Sequence, residues 1–348
     1  MADEPAPSRA SLRPAIETGI ASAIALGIVI AVMLIGRYDP VELLVPGSKS
    51  IGGEVMKDDF GADAIPDRYA YDGQRQYLIA RFFPDMSAAA DIRVDEFRMR
   101  RVLQPAIASL GGEGSAVVLL LLVLGVLGTG LAAGGLADVA ARHGRDARVG
   151  FAAPVALAFP TIICTTEPLA FGLAFVGLAL TERRRYALAI AAFGLAGLTR
   201  ETALVMAFAA ALAVLLRREV RPALGLALLS PLPFVAWAVI LRTQVTAQPY
   251  KAAQLFGFFD LPRLTTVDIV IALVTVALLV VGIARWRDVP VLWITSAGFL
   301  ASCLLYRGDS YPWEAFARLS AAGIAIGLAG LAPTTPSPTA RSPAAALT

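Results

Sequence analysis

Three groups of residues have types and positions suited to chemistry. The first is Asp72, in Tyr71-Asp72-Gly73-Gln74. A carboxylate followed by glycine, which lets backbone or ligand approach closely, suits a general base or an electrostatic anchor. The same spacing also fits a plain Asp-Gly turn in which Asp72 caps the helix that follows, and spacing alone favours the turn. The second group is Glu167, Arg200, Glu201, Asp309, Glu314 and Arg318, all at the ends of apolar runs. Ionisable groups at membrane depth are costly and mark a site or a pathway, although paired charges at span ends collect the same residue types. Arg200-Glu201 and Glu314…Arg318, the latter at i,i+4, are the expected pairs. The third group is Arg98, Arg100 and Arg101, which crowd the start of an amphipathic segment and would equally meet lipid headgroups.

These residues sit in a chain whose solvent is lipid. Of 348 residues 57% are hydrophobic and only 16% charged, outside the balance of a soluble domain. The net charge is +3, but the arginines fall in short clusters between apolar runs, which orients a membrane protein and does not bind nucleic acid. Cys164 and Cys303 lie within apolar stretches, so neither a disulfide nor a redox motif is expected. The single histidine, His143, cannot build a His-based metal cage, a bis-His haem site or a Ser/His/Asp relay within one chain.

Apolar runs long enough to be weighed as spans are Pro14–Gly36, Ala116–Leu136, Val149–Ile163, Pro168–Leu180, Tyr186–Leu198, Ala203–Leu216, Ala223–Leu241, Val267–Ala284, Val289–Tyr306 and Leu319–Leu331. The fold class is therefore an all-α polytopic membrane protein of about ten transmembrane helices, in one domain over residues 14–332. Runs three to six are short and Pro-interrupted, and a re-entrant pair is the alternative for runs three and four. The first run is too long for a cleaved signal peptide. Arg142, Arg145 and Arg148, then Arg183 to Arg185, then Arg217, Arg218 and Arg221, then Arg285 and Arg287 occupy alternate connections. By the positive-inside rule those connections are cytoplasmic, as are residues 1–13 and a disordered tail at 333–348.

The first loop, 37–115, then lies outside and carries 13 of the 27 acidic residues. Asp72–Phe83 and Glu96–Leu110 look helical, the latter with an apolar stripe of Val102, Leu103, Ala106, Ile107 and Leu110 for the membrane interface, and Pro40–Asp67 looks irregular. On this layout the acidic loop and the span-end charges point to one outward-facing polar cavity. Carboxylates such as Asp58-Asp59 are numerous enough for a divalent metal, but no spacing compels one, and no cofactor is assigned.

The ordered set Tyr71-Asp72-Gly73-Gln74 with Tyr77, Arg98-Met99-Arg100-Arg101-Val102-Leu103-Gln104-Pro105, Thr166-Glu167-Pro168-Leu169, Leu198-Thr199-Arg200-Glu201-Thr202, and late Glu314 with Arg318 resembles bacterial GT-C integral membrane glycosyltransferases of the mannosyltransferase-like kind. The likeness departs at Arg75, Gln76, Arg100 and Gln104, where aromatics, Gln and Tyr are expected. It implies a GT-C-like fold in a bacterial plasma membrane, with interfacial helices in the first extracytoplasmic loop and Asp72 as the catalytic acidic residue. It also implies a polyprenyl-phosphate-linked sugar donor and an extracytoplasmic glycan, lipid or protein acceptor. Asp72 would take the acceptor's proton, while Gln74, Tyr77, Arg98, Arg101, Glu167, Arg200, Glu201 and Arg318 would hold substrate, the arginines matching phosphate oxygens. A transporter or lipid flippase is the rival expectation, since broken helices and buried charges also mark substrate paths. A non-catalytic scaffold is the third, and it would leave the acidic loop residues dispersed.

Overall fold

A computed structural model describes residues 12–36, 38–245, 266–305 and 320–332, and these form helices and turns only. The long apolar helices are α1 (Arg13–Gly36), α7 (Ser115–Arg142), α8 (Ala152–Ile162), α9 (Glu167–Glu182), α10 (Tyr186–Thr199), α11 (Leu204–Leu216), α12 (Val220–Leu229), α13 (Leu232–Gln244), α14 (Thr266–Arg285), α15 (Pro290–Leu305) and α16 (Ala321–Leu331). The described part of each of the ten apolar runs is thus helical, the seventh being divided by a turn at Ser230-Pro231 into α12 and α13. By length and composition, three stretches suffice to cross a membrane: Arg13–Gly36, Ser115–Arg142 and Val220–Gln244. On α1, Ile16, Ile20, Ile24, Ile28 and Val32 are 53–63% exposed along one i,i+4 line. Such a stripe is costly in water and stable against lipid. The described residues thus make an all-helical architecture with the apolar helices of a membrane protein.

Helix α7 is the axis, and glycines set its two most extensive contacts, with α1 and α9. A Cβ on Gly19 of α1 would lie 2.8 Å from the Gly130 carbonyl oxygen, and one on Gly172 of α9 would lie 2.2 Å from that of Gly128. Lipid tails are as apolar as leucine, so helices gain by close backbone approach, and small residues permit it. Gly130 and Gly134 serve α1, while Gly128 and Gly135 serve α9. Thr129 and Thr161 join α7 to α8 through their hydroxyls at 2.9 Å. Farther along, the Trp286 indole N–H after α14 donates to the Ile326 carbonyl of α16 at 3.0 Å.

The bundle has two chemically different ends. At one, Asp138 binds Arg183 and Arg142, Glu182 binds His143 and Arg217, Glu219 binds Tyr186 and Arg184, and Arg145 reaches Asp288 while stacking on Trp286 at 4.1 Å. At the other sits the first loop, whose Tyr77 hydroxyl accepts from the Gly114 N–H at the head of α7. The 28 residues of α7 separate these ends by about 42 Å at 1.5 Å per residue. Helix α8 leaves the arginine-rich end, where Gly150 abuts the Ala133 carbonyl, and ends with the Ile163 carbonyl against Gly73 of the loop. Helix α9 returns from Glu167 to Glu182. At 11 and 16 residues, α8 and α9 are each shorter than α7, and together they link the basic network to the loop.

The loop folds into short helices: α2 (Gly53–Phe60), α3 (Asp72–Phe82), α4 (Met86–Asp91), α5 (Glu96–Met99) and α6 (Leu103–Ala108). Its core of Leu44, Met56, Tyr77, Leu78, Ile79, Met86 and Met99 is continuous with Val117, Val118 and Leu121 of α7 and Leu241 of α13. Two expectations need correction. Pro40–Asp67 contains α2, started by Gly52 at φ +73° and fixed by buried Met56. Glu96–Leu110 is not one helix but α5 and α6 with a break at 100–102. Pro105 favours the break: it has no N–H for the Arg101 carbonyl, which suits the first turn of α6 better than the interior of one continuous helix. Ile107 and Leu110 do point outward, as an interfacial face requires.

Candidate functional site

Asp72 is the first residue of α3, after Tyr71 in extended conformation, and it does not cap the helix. The expected Asp-Gly capping turn is therefore not what forms. One carboxylate oxygen instead accepts from Arg75 Nη1 at 3.1 Å, one helical turn away, and from Arg98 Nε at 3.4 Å. Arg98 is aimed by Asp95, which caps α5 through the Arg98 backbone N–H at 3.0 Å and grips its guanidinium with the other oxygen. Asp72 remains 16% exposed, with Arg75 at 22% and Arg98 at 27%. Burial, and then the neighbouring Arg98, pull the Arg75 guanidinium below its ordinary value, with Asp72 and Asp95 opposing. Gly73 lets α3 sit this deep, because a Cβ there would lie 2.5 Å from the Ile163 carbonyl oxygen and 2.9 Å from that of Leu44.

Two more ion pairs lie beside this group, one tying it to the bundle and one within the bundle. Arg101 forms a fork on Glu201, at 3.1 and 2.7 Å, and lies 4.6 Å over the Phe97 ring. Burial works against its charge, but Glu201, helped by Asp72 and Glu167, outweighs burial and holds Arg101 above its ordinary value. Arg200 pairs with fully buried Glu167 at 3.0 Å and donates to Thr202 at 3.2 Å. Adjacent Arg200 and Glu201 thus go to different partners, which corrects the pairing expected of them. The backbone explains the split, since Arg200 is extended at φ −161° between α10 and the turn into α11.

The cluster balances four carboxylates, Asp72, Asp95, Glu167 and Glu201, against four guanidiniums, Arg75, Arg98, Arg101 and Arg200. It unites Asp72, Arg98, Arg101, Glu167, Arg200 and Glu201 from the sequence reading. Gln74 and Tyr77 are buried beside it in supporting contacts. Gln74 accepts from the Gly47 N–H at 2.8 Å and donates to the Ile51 carbonyl at 2.9 Å, while Tyr77 donates to Asp59 at 2.5 Å. Arg100 turns to Glu96. Asp309, Glu314, Arg318 and the 333–348 tail lie outside the described residues. Sequence reasoning missed Arg75 and Asp95; their signal was i,i+3 spacing to Asp72 and Arg98 on helical turns. Among the described residues no three His, Cys, Asp or Glu side chains gather as metal ligands. Comparison with protein-family models, with curated proteins and with solved structures finds no match.

Proposed function

We propose that the chain is a polytopic membrane glycosyltransferase of the GT-C kind, crossing a bacterial plasma membrane about ten times with the first loop outside and both termini in the cytoplasm. It moves a sugar from a polyprenyl-phosphate donor to an extracytoplasmic glycan, lipid or protein hydroxyl. The observation that carries this reading is the Asp72 carboxylate held by Arg75 and Arg98 at the loop end of the bundle. The acceptor oxygen bonds to the anomeric carbon, the bond from that carbon to the phosphate oxygen breaks, and Asp72 takes the hydroxyl proton. As Asp72 loses its negative charge the departing phosphate gains one, so Arg75 and Arg98 exchange one anion for another without moving far. Donors fixed in advance where charge develops are the strongest form of electrostatic catalysis. Arg101 is buried on Glu201 and holds the loop on the bundle, while Arg200 is buried on Glu167 and ties the ends of α9 and α10 together.

The test is transfer from radiolabelled polyprenyl-phosphate sugars by full-length protein in proteoliposomes, with mass spectrometry of envelope glycans from cells with and without it. Asp72→Asn should lower turnover by about 10² to 10⁴-fold, the contribution of a positioned base. Near-normal turnover in this variant removes Asp72 from the role. Labelled lipid that crosses the bilayer with no new glycosidic bond identifies a flippase instead.

A further inference from the structure

A groove of about 630 Å³ runs along the opposite half of the bundle, between α1 and α9 with α7 as its floor. Gly19 and Ala23 of α1, Leu127 and Leu131 of α7, and Val176 and Leu180 of α9 line its length. Asp138, Arg183 and Arg185 line its mouth at the arginine-rich end. Asp138 is already held by both Arg183 and Arg142, and exposed Arg185 makes no ion pair among the described residues, so the mouth keeps an excess of positive charge. From Leu127 to Asp138 the groove covers about 16 Å of helix, close to half of the roughly 30 Å hydrocarbon core. It is therefore one leaflet deep. Apolar side chains along its length and a basic mouth suit an acyl chain that carries an anionic headgroup.

We infer that the groove binds an anionic phospholipid of the arginine-side leaflet, one acyl chain lying on α7 and the headgroup phosphate meeting Arg185 and Arg183. Basic pockets between membrane helices take anionic headgroups by the same combination of forces. The inference rests on the bilayer setting and not on glycosyl transfer, because the groove lies at the far end of α7 from Asp72.

The experiment is native mass spectrometry of the full chain released from nanodiscs of phosphatidylcholine with phosphatidylglycerol. The wild type should keep one phosphatidylglycerol after loosely held lipid is stripped. Arg185→Gln, a change at an exposed side chain, should lower its retention about fivefold, the effect of one cation near an anionic headgroup. Leu131→Trp, which fills the groove from a side chain already 40% exposed, should abolish retention. Arg218→Gln, at the same end but away from the groove, should leave it unchanged. Equal retention of both lipids, or unchanged retention in Leu131→Trp, overturns the proposal. So does a lipid-free dimer that Leu131→Trp dissociates, since a second copy would then fill the groove.

Discussion

Arg101 and Glu201 stand a hundred positions apart and meet in a buried fork that fastens the loop to the bundle. Removing one partner of such a pair strands a buried charge, at a cost of about 3–5 kcal/mol. Glu201→Gln should therefore lower the melting temperature in detergent and expose residues 96–111 to protease. The double change Arg101→Met with Glu201→Leu should recover most of that stability, because apolar replacement of a whole buried pair is about neutral or better. Unchanged melting of Glu201→Gln would show that the fork bears no load. At this scale the sequence displayed the right residue types and the wrong partners: Arg200 and Glu201 are neighbours along the chain, yet extended backbone at Arg200 sends their side chains apart.

At the scale of elements, α3 depends on the absence of a side chain at Gly73. The atoms a Cβ would strike are backbone carbonyls of Ile163 and Leu44, which cannot swing aside as a flexible side chain can. Gly73→Ala should cost about 1–3 kcal/mol, as overpacking does, and should reduce transferase activity along with stability because it shifts Asp72 and Arg75 together. Gly27→Ala on α1 is the matched control. Its nearest atom would be Val126 Cγ1 at 3.9 Å, so it should be neutral or stabilising by up to about 1 kcal/mol from helix propensity. Thermal unfolding of the two variants side by side distinguishes close packing from a general intolerance of alanine. Helix α3 was legible from its residues, whereas the α5–α6 break was visible only once Pro105 was weighed above the apolar stripe around it.

For the whole molecule, the alternation of arginine-rich connections agrees with a bundle whose polar loop and basic network sit at opposite ends of α7. Ser87→Cys, on an exposed turn of α4, should react with a membrane-impermeant maleimide in intact cells, and Arg184→Cys should react only after permeabilisation. The reverse pattern would turn the protein over and place Asp72 in the cytoplasm. The sequence by itself determined the helical class, the apolar segments and the position of the polar loop, since hydropathy, length and arginine bias are properties of consecutive residues. The tertiary structure decided which charges meet: that Asp72 belongs to Arg75 and Arg98, that Glu167 and Glu201 take Arg200 and Arg101, and that a one-leaflet groove lies at the far end. The reason is physical. A buried charge takes whatever partner packing brings within about 3 Å, and in this chain that packing is governed by glycine contacts between helices distant in sequence.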